Sequence, residues 1–110
     1  MADTPDIRLD HINLPAARPE WLADWYAEMF GFRSEGGFVI GPGTLIVFEQ
    51  GTPIDYGDNA HFGFRCTDRE KVLLWAEKLA ATVISESDYC GFKACDPEGN
   101  HFEVYWEVPR

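Results

Sequence analysis

The stretch Ala60-His61-Phe62-Gly63-Phe64-Arg65-Cys66-Thr67-Asp68-Arg69-Glu70 joins an alternating strand to a helix start, and a second such join lies 50 residues upstream. Thr67 and Glu70 have the spacing of a capping box, in which hydroxyl and carboxylate satisfy orphan amides at a helix N-terminus. Val72, Trp75, Ala76, Leu79 and Ala80 then recur at helical intervals. Upstream, Ile7 to Leu14 reads as a strand and Arg18-Pro19-Glu20 as a helix start, with Pro where a missing N–H costs nothing. Trp21, Leu22, Trp25, Tyr26, Met29 and Phe30 form that helix's apolar stripe, which stops at Gly31. His11 and His61 stand at matching points of the two copies. Trp25 and Trp75 do as well, and both read as core anchors of their helices.

Short β-like runs follow each helix. They are Phe38 to Ile40 and Leu45 to Gln50 in the first copy, and Val83 to Ser85, Phe92 to Cys95 and His101 to Glu107 in the second. Thr52 to Asn59, with Pro53, Gly57, Asp58 and Asn59, reads as the linker. The expected class is therefore α+β: two βαβββ modules, spanning residues 6–51 and 60–108, joined by linker 52–59. Repeats of this length are too small to stand alone, so the modules are expected to share one core in a single 1–110 domain.

Side chains alternate faces along a strand. Ile12 and Leu14 oppose His11 and Asn13; Phe62, Phe64 and Cys66 oppose His61, Gly63 and Arg65. In the last strand Phe102, Val104 and Trp106 oppose His101, Glu103, Tyr105 and Glu107. Each strand thus has an apolar face for a helix and a polar face. That pattern describes a sheet with helices outside and a polar concave side, to which His11, His61 and Glu103 all belong.

Composition narrows the classes of function. Apolar residues make up 45% and charged residues 25% of the 110, which is globular composition. The longest apolar run, Leu45 to Phe48, is far shorter than the ~20 residues of a membrane span. A net charge of −10 argues against nucleic acid, whose phosphates need clustered Lys and Arg. Cys66, Cys90 and Cys95 form an odd set without a CxxC pair, and the chain opens with no export signal, so a reduced cytoplasmic protein is expected.

Leu9-Asp10-His11-Ile12-Asn13-Leu14-Pro15, Trp25-Tyr26-Ala27-Glu28-Met29-Phe30-Gly31-Phe32 and Asp96-Pro97-Glu98-Gly99-Asn100-His101-Phe102-Glu103 together resemble the glyoxalase / bleomycin-resistance / extradiol-dioxygenase group, the vicinal oxygen chelate superfamily. The resemblance covers nearly the whole chain. It implies paired βαβββ modules forming a cupped mixed sheet around a divalent metal, often in a homodimer. It also implies metal ligation by His11, His61 and Glu103. Two imidazoles and one carboxylate suit Fe²⁺, Mn²⁺, Co²⁺, Ni²⁺ or Zn²⁺ and leave positions open for water and substrate.

Glyoxalase I itself would supply a second Glu from the first module. Aligning Gly43 with Gly99 places Val47 there, so lactoylglutathione lyase activity is put in doubt. Glu49, the nearby carboxylate, has three open readings: fourth ligand, base beside the metal, or solvated strand end. Arg65 either clamps a substrate anion or pairs with one of the many acids. Tyr105 shares the Glu103 face and either lines the cavity or packs its wall.

Two functions follow. One is a metal-dependent enzyme, of lyase or isomerase type, on a small carbonyl, hydroxy-acid or thiol-adduct substrate; dioxygenase and fosfomycin-type transferase chemistry fit a short, base-poor chain less well. The other is a metal-free protein resembling bleomycin-resistance proteins, sequestering a cationic antibiotic in an acidic, aromatic-rich cup.

Overall fold

The structure, a computed structural model, describes residues 5–110. The chain divides into two compact units, Met1–Pro53 and Ile54–Arg110. The first contains β1 (Ile12–Ala16), α1 (Pro19–Phe30), β2 (Arg33–Glu35), β3 (Phe38–Gly41) and β4 (Thr44–Gln50). The second contains β5 (Phe62–Arg65), α2 (Arg69–Leu79), β6 (Ile84–Ser85), β7 (Tyr89–Cys95) and β8 (His101–Glu107). Each unit is therefore βαβββ, as expected. The sheet orders β1-β4-β3-β2 and β5-β8-β7-β6 are the same topology twice. In each, the first strand pairs with the last in parallel and the remaining pairs are antiparallel, since a helix crossover returns the chain in the same direction whereas hairpins reverse it.

Helix ends follow local chemistry. Pro19 occupies the first turn of α1, and Gly31, at φ 80°, ends it by donating its N–H to the Ala27 carbonyl at 2.8 Å. The α2 cap differs from the expected box. Asp68, not Thr67, is the N-cap, and its carboxylate accepts from the Lys71 amide at 3.0 Å. The charged Asp carboxylate takes the cap one residue later, which moves Glu70 off the position a capping box requires. The helix then stops at Ala80, a non-glycine residue in the left-handed region at φ 53°.

The helix cores also shift. Leu22, Ala23 and Tyr26 are the buried residues of α1, and Val72 and Ala76 those of α2. Trp25 and Trp75 are half-buried rather than core anchors. Their rings lie at the rim, Trp25 edge-on to Tyr26 at 4.9 Å and Trp75 under the Lys78 ammonium at 5.4 Å. Among the described residues no helix is long and apolar enough to cross a membrane.

Strand boundaries moved where pairing decided them. The first strand begins at Ile12, not Ile7, and Ile7 and Leu9 are exposed. Ile12 pairs with Ile46 in parallel, so Leu9 would face Gly43, which sits in the β3–β4 turn at φ 63° and ends the ladder. Conversely, β7 begins at Tyr89 rather than Phe92 because β8 offers partners as far as Glu107. The three-residue β2, unexpected from its polar sequence, is held by β3 across a turn at Gly36.

The Asp96–Asn100 turn sets the start of β8. Asp96 is 4% exposed and Asn100 fully buried. One Asp96 carboxylate oxygen accepts from the amides of Glu98 and Asn100, at 2.9 and 3.0 Å, and the other from the Asn100 side-chain amide at 2.7 Å. Tyr56 adds its hydroxyl to Asn100 Oδ1 at 2.9 Å, and its ring stacks on His101 at 5.1 Å. Burial, then the Asp96 carboxylate, push the Tyr56 phenol above its ordinary value.

Candidate functional site

The second unit brings two of the sequence-predicted ligands together. His61 immediately precedes β5, and Glu103 lies in β8 directly across from Gly63. Alternation then puts both side chains on the polar face, opposite Phe62, Phe102 and Val104. His61 Nε2 and Glu103 Oε1 are 3.6 Å apart. Both side chains are partly shielded, 31% and 18% exposed.

The atoms around them fix their roles. His61 Nδ1 lies 2.8 Å from the Asn59 carbonyl oxygen, which only accepts, so Nδ1 carries a proton and Nε2 is the ring nitrogen turned to Glu103. Glu103 Oε2 accepts from the Tyr89 hydroxyl. Burial and this bond to Glu103 push the Tyr89 phenol well above its ordinary value. Oε1 is left as the oxygen nearest Nε2. At 3.6 Å the two are beyond hydrogen-bond reach. Two donors each about 2.1 Å from one dication would be roughly 3.0–3.4 Å apart, so a few tenths of an ångström separate this pair from a shared ion. The pair offers two donors of the kinds a divalent metal takes, one imidazole nitrogen and one carboxylate oxygen, each held from behind.

A hollow of about 200 Å³ opens beside His61, whose neighbours in its lining include Asn59, Lys93, Cys95 and His101 but not Glu103. Lys93 pairs with Glu103 in the β7–β8 ladder and so shares its face. The Tyr105 ring, on the same face, stacks on Tyr89 with centroids 6.3 Å apart. Arg65 extends toward the end of β8, where its guanidinium donates to Glu107 Oε1 at 3.3 Å and to the Glu107 carbonyl, with the Tyr105 ring 5.7 Å beneath.

The first unit carries the other candidates. His11 immediately precedes β1, the position His61 has before β5. Its Nδ1 lies 3.1 Å from an Asp10 carboxylate oxygen, so it too is biased to leave Nε2 as the free nitrogen. Glu49 Oε1 accepts from the Asn13 amide at 2.8 Å. Ladder registers identify Val47 as the counterpart of Glu103: Ile12 pairs with Ile46 as Phe62 pairs with Phe102. Among the described residues no three His, Cys, Asp or Glu side chains are gathered as a ready metal cage. Sequence reasoning missed Tyr89 and the Asn59 carbonyl. The alternation Tyr89, Gly91, Lys93, Cys95 would have exposed the first had β7 been read from its true start.

Residues 8–104 match the family model described as the Glyoxalase/Bleomycin resistance protein/Dioxygenase superfamily. The chain belongs to this superfamily. Similar solved structures include lactoylglutathione lyase from Agrobacterium tumefaciens, 19% identical with TM-score 0.66, covering 94% of this chain and 96% of that one. The genomically encoded fosfomycin resistance protein FosX from Listeria monocytogenes is 15% identical with TM-score 0.74, covering 93% and 94%. At these identities the likeness shows the shared fold. No curated protein matches the sequence.

Proposed function

We propose that this superfamily member is a divalent-metal-dependent enzyme acting on a small oxygenated substrate, a carbonyl compound, hydroxy acid or thiol adduct, by carbonyl polarisation and proton transfer. The observation that carries the reading is the His61–Glu103 pair, with Nε2 and Oε1 turned to each other and both side chains tied at their far ends. His61 and Glu103 would hold the ion, with His11 as the third ligand and Fe, Mn, Co, Ni or Zn all compatible with the donors. Such an ion would supply Lewis acidity toward substrate oxygens.

The chain's own residues supply the rest. Asn59 and Tyr89 keep the two ligands aimed, so little reorganisation is needed at the moment of reaction. Tyr105 walls the substrate space beside Glu103. Glu49, oriented by Asn13, is the candidate base for moving a proton. An anionic substrate group would compete with Glu107 for Arg65. A homodimer is the assembly the family suggests, and a small molecule is the expected partner.

The test combines loading with turnover. Metal-stripped protein is supplied with each ion in turn and assayed on thiol adducts of 2-oxoaldehydes and on fosfomycin. The expected result is turnover restored by one or two of the ions and abolished in His61→Ala and Glu103→Ala. Metal-free wild-type protein that binds bleomycin tightly and gains nothing from any ion would overturn the proposal in favour of sequestration.

A further inference from the structure

We propose that Tyr89 is the positioning residue that fixes the Glu103 carboxylate on its metal-binding edge, reserving Oε1 for the ion and leaving a coordination position for substrate. This rests on the metal reading above. A carboxylate that is free to rotate can take two positions on a dication, or swing away from the imidazole. One that donates nothing and accepts a hydroxyl proton at Oε2 is restricted to Oε1, the oxygen 3.6 Å from His61 Nε2.

The ladder shows that this contact is built rather than incidental. Tyr89 pairs with Glu107, and the residue opposite Glu103 is Lys93. A tyrosine standing straight off the sheet at position 89 would face Glu107. Its hydroxyl reaches Glu103 only because the ring lies along its own strand, across Gly91. A Cβ at Gly91 would lie 2.7 Å from Tyr89 Cζ and 2.9 Å from Tyr105 Cβ, and would meet the Tyr89 hydroxyl oxygen head-on. Glycine is therefore required at 91 for the phenol to lie there. The Tyr105 ring, inclined by only 18° to that of Tyr89, supports it from the side. Three residues of the polar face, Tyr89, Gly91 and Tyr105, thus serve one bond to one carboxylate oxygen.

Cobalt binding to the metal-stripped full chain tests this without any need for substrate. Co²⁺ is titrated into wild type, Tyr89→Phe and Gly91→Ala by calorimetry, and the visible absorption of the loaded proteins is recorded. Apo thermal midpoints are measured alongside. The expected result is binding about 10- to 100-fold weaker in Tyr89→Phe, with shifted Co²⁺ bands reporting a changed carboxylate, and an apo midpoint within a few degrees of wild type. Gly91→Ala should reproduce the spectral change if it folds. Wild-type affinity and wild-type bands in Tyr89→Phe overturn this inference alone, as would weaker binding that merely follows a collapsed apo midpoint with unshifted bands. Failure of wild type to bind Co²⁺, Mn²⁺, Ni²⁺ and Zn²⁺ overturns this inference together with the metal reading.

Discussion

Removing the Asp96 carboxylate should destabilise the second unit severely. Its two oxygens accept three hydrogen bonds, from the Glu98 amide, the Asn100 amide and the Asn100 side chain. Hydrogen bonds to charged groups contribute roughly 1.5–3 kcal/mol each, and bonds sharing one acceptor are not additive. In Asp96→Ala the orphaned donors include Asn100, which is fully buried, so water reaches them poorly. A loss of about 3–4 kcal/mol is expected, out of a total of roughly 5–15 kcal/mol for a domain of this size. Asp96→Asn keeps one acceptor oxygen for the two backbone amides and sacrifices the charge, so about 1–2 kcal/mol is expected. Urea unfolding followed by tryptophan fluorescence measures both. A cost below about 1 kcal/mol for Asp96→Ala, or equal costs for the two variants, would refute the assignment of the turn's rigidity to this carboxylate.

Two further outcomes are expected. Ala80→Gly should stabilise the protein by about 0.5–1 kcal/mol, because a non-glycine residue at φ 53° carries a left-handed penalty that glycine escapes; a higher midpoint in thermal unfolding checks it. Tyr56 is an acid whose folded-state pKa is raised by burial and Asp96. Its contribution is fully present below the unfolded phenol value of about 10 and is lost as pH rises through the folded value. Tyr56→Phe should therefore flatten the decline in stability above about pH 10, measured by urea midpoints on either side of that pH.

How far the site was legible in the sequence depended on whether its determinants were local. The position of Glu103 on the polar face of β8 was legible because the Asp96–Asn100 turn fixes where β8 begins and strict alternation does the rest. His61 followed from the 50-residue repeat. Val47 as the acid-free counterpart of Glu103 followed from aligning two glycines, and both ladders carry that register. Tyr89 was not legible, since Ser85 to Asp88 reads as a turn that only pairing with β8 shows to be short. The Asn59 carbonyl leaves no mark in a sequence at all, being backbone. Arg65 had many possible acidic partners, and its choice of Glu107 depends on a strand 42 residues away. Helix caps were read to within a residue, because Thr67 and Asp68 compete locally for one task.

Metal content of the untagged protein, counted per chain by mass spectrometry after growth in mixed-metal medium, bears most directly on the whole account. A stoichiometric transition metal in wild type that disappears in both Glu103→Ala and His11→Ala is the expected result. A dication retained undiminished by either variant, or a wild-type chain that takes up none when reconstituted, would contradict it.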